Sequence, residues 1–393
     1  MNPSILVAIS TAGMLTGLFI AWKLHSSHHM EIVVDPGGKP AASPLPFISV
    51  IVPARNEARN IQRCVEALLD QDYPHYEIIV VDDCSTDATP QLLAKLAAQY
   101  TGRGLNRLQL LSGEELPLGW AGKPHALMQG AVAAQGDWLC FIDADTFAAP
   151  TLLSSTLATA LEHQADLFTI HTDQELGSFW EKTILPLVFT ALAFGFPTKR
   201  VNDSSKPDAI ANGQFILVRR GVYQAVGGHT AVKERIDEDK AIAETVKRGG
   251  YRLIFADGRQ AATTRMYTRF NELWEGWTKN IYLGLRDRLG LLTFGAFLGL
   301  IAALALPLWL AGGLAWLALG GGWAAGILAL QAAILWATLL ALRLQACRAF
   351  HISPFYALTL PLGALVFTAM MFTSAWKVLS GRGVTWKGRT YSK

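Results

Sequence analysis

The sequence predicts an α/β domain on a mainly parallel sheet, joined to transmembrane helices, one N-terminal and about three C-terminal. Two observations predict it. Between residues 47 and 145, short apolar runs alternate with helical patterns at about 30 residues per unit, the spacing of right-handed βαβ crossovers. The composition is also divided. Of 393 residues, 17% are charged and 51% hydrophobic, with a mean hydropathy of +0.27. A soluble domain carries about 25% charge. Disorder is excluded by the lack of polar excess. A wholly soluble chain and a polytopic bundle are both disfavoured, because apolar and normally charged stretches are segregated. The net charge of +3 is too small to suggest a nucleic-acid partner. Cys64, Cys84, Cys140 and Cys347 are scattered, with no CxxC and no His/Cys cluster. They read as reduced core thiols, without structural zinc or a disulfide framework.

The elements follow in order. Ser4 to Trp22 is uncharged and long enough for a bilayer span. Lys23, His25, His28 and His29 follow it, which predicts a retained anchor over residues 1–30 with the next segment cytoplasmic. The Pro- and Gly-rich loop from Asp35 to Pro46 opens a domain assigned to residues 31–264. Its strands are Phe47–Ala54, Tyr76–Asp83, Arg107–Ser112 and Trp138–Asp145. Its helices are Glu57–Leu69, Asp87–Tyr100 (capped by Ser85 or Asp87) and Lys123–Ala134, with a later one at Ile236–Arg248. Residues 265–290 read as an amphipathic helix in the membrane interface, with Phe270, Trp274, Trp277 and Ile281 at helical spacing. Arg265, Arg269, Lys279, Arg286 and Arg288 flank it. An ordinary core-facing helix is the alternative. Ile184–Pro197 is apolar but too short to span.

Residues 291–393 hold two spans within Leu291–Leu344, turning at Gly320-Gly321-Gly322, and a third apolar run at Tyr356–Trp376. A re-entrant helix broken near Pro361 is the alternative for that run. Arg343 and Arg348 place the preceding loop on the cytoplasmic side. Lys377, Arg382, Lys387, Arg389 and Lys393 ask the same of the tail, and both cannot hold if the third run crosses fully.

In such sheets, ligands bind beyond the carboxyl ends of the strands. Those ends carry Arg55 and Glu57, then Asp82-Asp83, then Asp143-Ala144-Asp145. Crowded carboxylates need a cation or a donor-rich ligand. Asp143 and Asp145 suit Mg2+ or Mn2+ shared with a diphosphate, since two carboxylates do not make an all-protein cage. A surface turn would give the same pattern. Asp82-Asp83 can accept hydrogen bonds from a nucleoside or simply end a strand. Lys123 at a helix start can hold an anion or be solvated. Asp237-Glu238-Asp239 exceeds what a helix cap requires, and an ionised acid beside an acceptor hydroxyl is a general base. No GxGxxG follows the first strand, so a dinucleotide site has no support.

The ordered set VPARNE (Val52–Glu57), VVDDCSTD (Val80–Asp87), GKPHAL (Gly122–Leu127), FIDAD (Phe141–Asp145), NGQFILVRR (Asn212–Arg220), GGH (Gly227–His229) and DED (Asp237–Asp239) resembles the family 2 glycosyltransferases. The resemblance spans about residues 46–285 and implies a GT-A, Rossmann-like fold. It also implies inverting transfer of a sugar from a UDP- or GDP-sugar. Carried over, it places Pro53, Arg55, Glu57, Asp82 and Asp83 around the nucleoside and Lys123 near the diphosphate. It gives Asp143 and Asp145 to the metal. It makes Asp239 the general base, supported by Glu238 beside Asp237. Gly213, Gln214 and Gly228 fall near the sugar or acceptor.

Two positions depart from the family. Met128 stands where Asn is frequent, and Met266-Tyr267-Thr268-Arg269-Phe270 lacks the Gln and Trp of the QxxRW segment. The second departure weighs against a processive polysaccharide synthase. GWAGK, RMYTRF, WEGWTKN and WKGRTY are similar to the branch associated with hopanoid and carotenoid glycosylation. That branch implies a lipid or isoprenoid acceptor with a hydroxyl or carboxyl group. It also implies contact with membrane lipids and a bacterial inner-membrane location with the catalytic domain cytoplasmic. A non-catalytic membrane module with a vestigial nucleotide pocket is the reading from another class, opposed by retention of every acidic motif.

Overall fold

The computed structural model describes residues 2–27, 30–101, 107–285, 289–380, 384–386 and 389–391. His28, His29, Arg286, Arg288, Arg382, Lys387 and Lys393, which entered the basic-flank readings, lie outside them. The chain forms two compact units. One comprises Met30–Glu175 and Thr198–Met266; the other joins Leu176–Pro197 to the N-terminal segment and to the chain from Tyr267 onward.

The first unit is the α/β part. Its strands are β1 (Ile48–Ala54), β2 (Tyr76–Asp82), β3 (Leu108–Ser112), β4 (Trp138–Phe141), β5 (Thr146–Ala148), β6 (Leu167–His171), β7 (Asp173–Gln174), β8 (Ile216–Arg219), β9 (Leu253–Asp257) and β10 (Ala262–Thr264). Seven form one sheet in the order β3-β2-β1-β4-β8-β6-β9. All neighbours run parallel except β8, which is antiparallel to β4 and β6. The strands are apolar on both faces because helices cover both. Ile48, Val50, Ile51 and Val52 of β1 and Ile78 to Val81 of β2 have no exposed surface.

Helices Ile61–Leu69, Thr89–Thr101 and Gly122–Ala133 make the first three crossovers. The chain moves outward from β1 to β3 and then returns to β4 on the other side of β1. This reversal opens a crevice at the carboxyl ends of β1 and β4.

Several boundaries fall short of the expected ones for local reasons. The first helix starts at Ile61, not Glu57, because Glu57 N donates to Thr89 Oγ1 (2.8 Å) and Ala58 N to Asp87 Oδ2 (3.1 Å). Asp87 Oδ1 accepts Thr89 N (2.9 Å), the expected cap. β4 stops at Phe141. Beyond it Thr146 N donates to Asp143 O (3.0 Å), and the resulting turn carries the chain into β5, which pairs with β10 in a second, three-stranded sheet. Asp143 and Asp145 therefore sit in the turn rather than in the strand. Cys64, Cys140 and Cys347 are buried thiols, whereas Cys84 is exposed in the turn after β2, at φ +51°.

Among the described residues of the second unit, four helices are long and apolar enough to cross a membrane: Pro3–Ser26, Phe294–Ala318, Gly322–Ala349 and Pro354–Lys377. The expected glycine turn separates the second from the third, with Gly320 at φ +85°. Pro361 breaks nothing. It lies in the first turn of Leu360–Leu379, where a missing N–H has no partner to lose. The third helix runs on to Ala349, so Arg343 is inside it and not in a following loop. The helix Phe179–Gly195 is closed at its start by a Ser178/Glu181 capping box and buries Ile184, Leu185 and Val188. In Phe270–Leu285, Trp277 and Ile281 are buried while Phe270 and Trp274 are half-buried. Phe270 packs on Trp180 with centroids 4.7 Å apart.

Candidate active site

The rim at β1 and β2 is stitched by backbone and side-chain bonds. Asp83 N donates to Ala54 O (2.8 Å). Asn56 N donates to Ser85 Oγ (2.9 Å), and Thr86 N donates to Asn56 Oδ1 (2.8 Å). Arg55 Nη1 spans the gap to the carbonyls of Asp83 (2.6 Å) and Cys84 (3.2 Å). Arg55 thus ties the two loops together. Asp82 is half-buried at the end of β2, and its carbonyl accepts Gly113 N (2.9 Å). A Cβ on Gly113 would stand 2.7 Å from that oxygen, so this approach requires glycine. Glu57 Oε2 accepts from Asn60 Nδ2 (2.9 Å). Pro53 is half-buried opposite Val81. These residues lie on the one rim.

A charge centre forms where three distant segments meet. Lys123, in the first turn of Gly122–Ala133, places Nζ 2.6 Å from Asp143 Oδ1 and 2.8 Å from Glu238 Oε1. Asp239 adjoins it. Its Oδ2 accepts Gly213 N (3.1 Å), and its Oδ1 accepts Lys240 N (2.7 Å). A Cβ on Gly213 would lie 3.0 Å from Lys123 Nζ and 3.1 Å from Asp239 Oδ2, so glycine lets the backbone reach the centre.

Burial lifts the Glu238 carboxyl to about 7, against the opposing pull of Lys123. Burial raises Asp239 as well, again opposed by Lys123. Burial alone would lower Lys123, but Asp143, Glu238 and Asp239 outweigh it and hold the ammonium well above its ordinary value. One cation among three acids leaves room for a second positive charge or a donor-rich ligand. Asp237 is turned elsewhere: Arg235 pairs with it through Nε (2.7 Å) and Nη2 (2.6 Å).

Two of the expected contact residues have their own structural partners. Gln214 is buried, and its Oε1 accepts from Thr172 Oγ1, Asn212 Nδ2 (3.2 Å) and Gln174 Nε2 (3.3 Å). The chain of hydroxyls continues from Thr172 to Thr264 (3.3 Å) and Thr146 (3.2 Å), next to Asp145. Replacing Gln214 with Leu strands these donors and is expected to cost about 1–3 kcal/mol of stability. Denaturant unfolding read beside the donor KM checks this. A raised KM with unchanged stability would instead make Gln214 a sugar contact.

Gly228, at φ +51°, gives its Cβ space to the Tyr223 ring, 2.5 Å away. The Tyr223 hydroxyl accepts His229 N (3.1 Å) and lies 2.8 Å from His229 Nδ1. Burial, aided by Lys123, pushes His229 down to about 3, so the imidazole is neutral. Sequence reasoning missed this Tyr–His pair. The signal available was the consecutive glycines before His229.

Residues 49–227 match the model for Glycosyl transferase family 2. That stretch is under half of the chain and is similar to the family 2 glycosyl transferases. The chain is 28% identical over 244 residues to the 4,4'-diaponeurosporenoate glycosyltransferase of Staphylococcus aureus strain USA300, covering 60% of this chain and 61% of that protein. The strain MRSA252 protein of the same name is 27% identical over 241 residues, with the same coverage. The match thus spans 61% of the length of these curated relatives. Among solved structures, the mannosyltransferase PcManGT from Pyrobaculum calidifontis, in complex with GDP-Man and Mn2+, aligns with a TM-score of 0.53 at 19% identity. The alignment covers 96% of this chain and 99% of that one. At that identity the likeness shows the fold, a GT-A sheet.

The α/β unit offers a sparse donor set for a metal. Among the described residues, no group of three or more His, Cys, Asp or Glu is arranged to hold an ion. Asp143 and Asp145 share one turn. Such a pair fits a divalent ion that draws its remaining ligands from a diphosphate and water.

Proposed function

We propose that this chain is a membrane-bound inverting glycosyltransferase. It moves one sugar from a UDP- or GDP-sugar to a lipid or isoprenoid acceptor. The observation that carries the reading is the Lys123 bridge between Asp143 and Glu238, with Asp239 alongside, at the switch point of the sheet. The rim of Pro53, Arg55, Glu57, Asp82 and Asp83 holds the nucleoside. Lys123 faces the diphosphate. When bound, Mg2+ or Mn2+ at Asp143 and Asp145 offsets the charge that gathers on the departing diphosphate. Asp239 accepts the acceptor's hydroxyl proton as its oxygen attacks the anomeric carbon; the bond to the diphosphate breaks and the configuration inverts.

The relatives' name, 4,4'-diaponeurosporenoate glycosyltransferase, supports an apolar acceptor. So do four helices able to cross a bilayer; the location that goes with this reading is a bacterial inner membrane with the domain cytoplasmic. Mass spectrometry of lipid extracts from cells with and without the chain tests this. The expected result is a lipid heavier by one sugar. A sugar polymer, or no lipid product with nucleotide sugar and metal supplied, overturns it.

A further inference from the structure

Arg343 lies inside the apolar helix Gly322–Ala349 and is 3% exposed. Part of its role is local. Pro186 interrupts Phe179–Gly195 and has no N–H to give the carbonyl four residues earlier, that of Lys182. Arg343 Nη2 takes that carbonyl (2.7 Å) and its neighbour on Thr183 (3.0 Å). Gly363 keeps the space clear, since a Cβ there would stand 2.7 Å from Thr183 O.

A neutral amide could fill the proline gap equally well. The positive charge is left over. Arg343 Nε and Nη1 are fully buried and have no hydrogen-bond partner among the described residues, and Thr183 Oγ1 has none either. No Asp or Glu follows Asp287 in the remaining sequence, and none precedes Glu31. Within the same unit, Glu181 closes its capping box, Glu272 accepts from Thr268 N (3.0 Å), and Glu275 on the helix Phe270–Leu285 forms no ion pair with Arg343. A buried guanidinium without a counter-ion is costly in an apolar medium, where charged side chains pair or mark a binding path.

We propose that Arg343 binds the oxyanion of an anionic amphiphile, a phosphate or carboxylate carried on an apolar chain. Such a molecule partitions into the bilayer and brings both the counter-charge and the acceptors that Nε and Nη1 lack. The inference rests on these helices crossing a bilayer and not on the sugar-transfer reaction.

The test uses the full chain in phosphatidylcholine nanodiscs, alone or with phosphatidylglycerol or oleic acid added. Thermal unfolding and native mass spectra are read together. The wild type is expected to gain thermal stability and retain one of the two additives. Phosphatidylglycerol alone acting assigns a phosphate, and oleic acid alone a carboxylate. R343Q keeps a donor for the Lys182 carbonyl but loses the charge, and its bound additive should fall about tenfold; R343K should retain binding. Equal retention by wild type and R343Q overturns the proposal. If R343Q does not fold, the wild type decides alone: no gain from either additive overturns it.

Discussion

Asp239→Asn is expected to lower transfer by about 10²–10⁴-fold while nucleotide binding is unchanged. The substitution keeps the volume and still accepts Lys240 N, so the start of the helix Glu238–Arg248 should hold. It removes one oxygen's basicity beside Gly213, where backbone and acid meet. Because burial raises Asp239 above its ordinary carboxylate range, it is a better proton acceptor than a solvated acid. The acid limb of kcat/KM should therefore lie above that range in the wild type. Steady-state kinetics with an alcohol acceptor, read beside equilibrium binding of the nucleotide, separate the two effects. Turnover at the wild-type level would remove Asp239 from the reaction.

The fold was legible because buried parallel strands read as unbroken apolar runs. FISVIVPA and YEIIVVDD needed no partner to be recognised, and the helices between them carry one apolar face. The rim was legible for the same reason, since polar residues directly after such runs fall at strand ends. What could not be read is who pairs with whom. Asp237, Glu238 and Asp239 are equivalent as letters. Only the folded chain gives Asp237 to Arg235 and leaves Glu238 on Lys123. Gln214 reads as a ligand contact beside Gly213, yet its partners at 172 and 174 are some 40 residues away. Arg343 reads as a loop residue flanking a span, until the helix continues past it and Pro186 supplies a carbonyl from 161 residues earlier. The Lys123, Gln214 and Arg343 pairings are polar contacts between segments far apart in sequence, which periodicity does not encode.

Lys123→Met is expected to disable transfer and to destabilise the domain in a pH-dependent way. The ammonium lies between Asp143 and Glu238, within 2.6 and 2.8 Å. Breaking a fully buried pair costs about 3–5 kcal/mol; with the Lys123 side chain 35% exposed, solvent screening brings the expectation nearer to about 2 kcal/mol. The dependence has a definite sign. Glu238 titrates at about 7 in the fold against 4.5 for an ordinary glutamate, so the folded state holds the extra proton between those values. Stability contributed by that group is therefore lost as pH rises from 4.5 through about 7. Without Lys123, which lowers both Glu238 and Asp239, the two acids are pushed higher still and the loss on the alkaline side deepens. Melting curves of wild type and variant near pH 5 and pH 8 read this directly. The deficit should be small at the acid end and largest at the alkaline end. An equal deficit at both would mean that Lys123 acts through packing rather than as the cation of this centre.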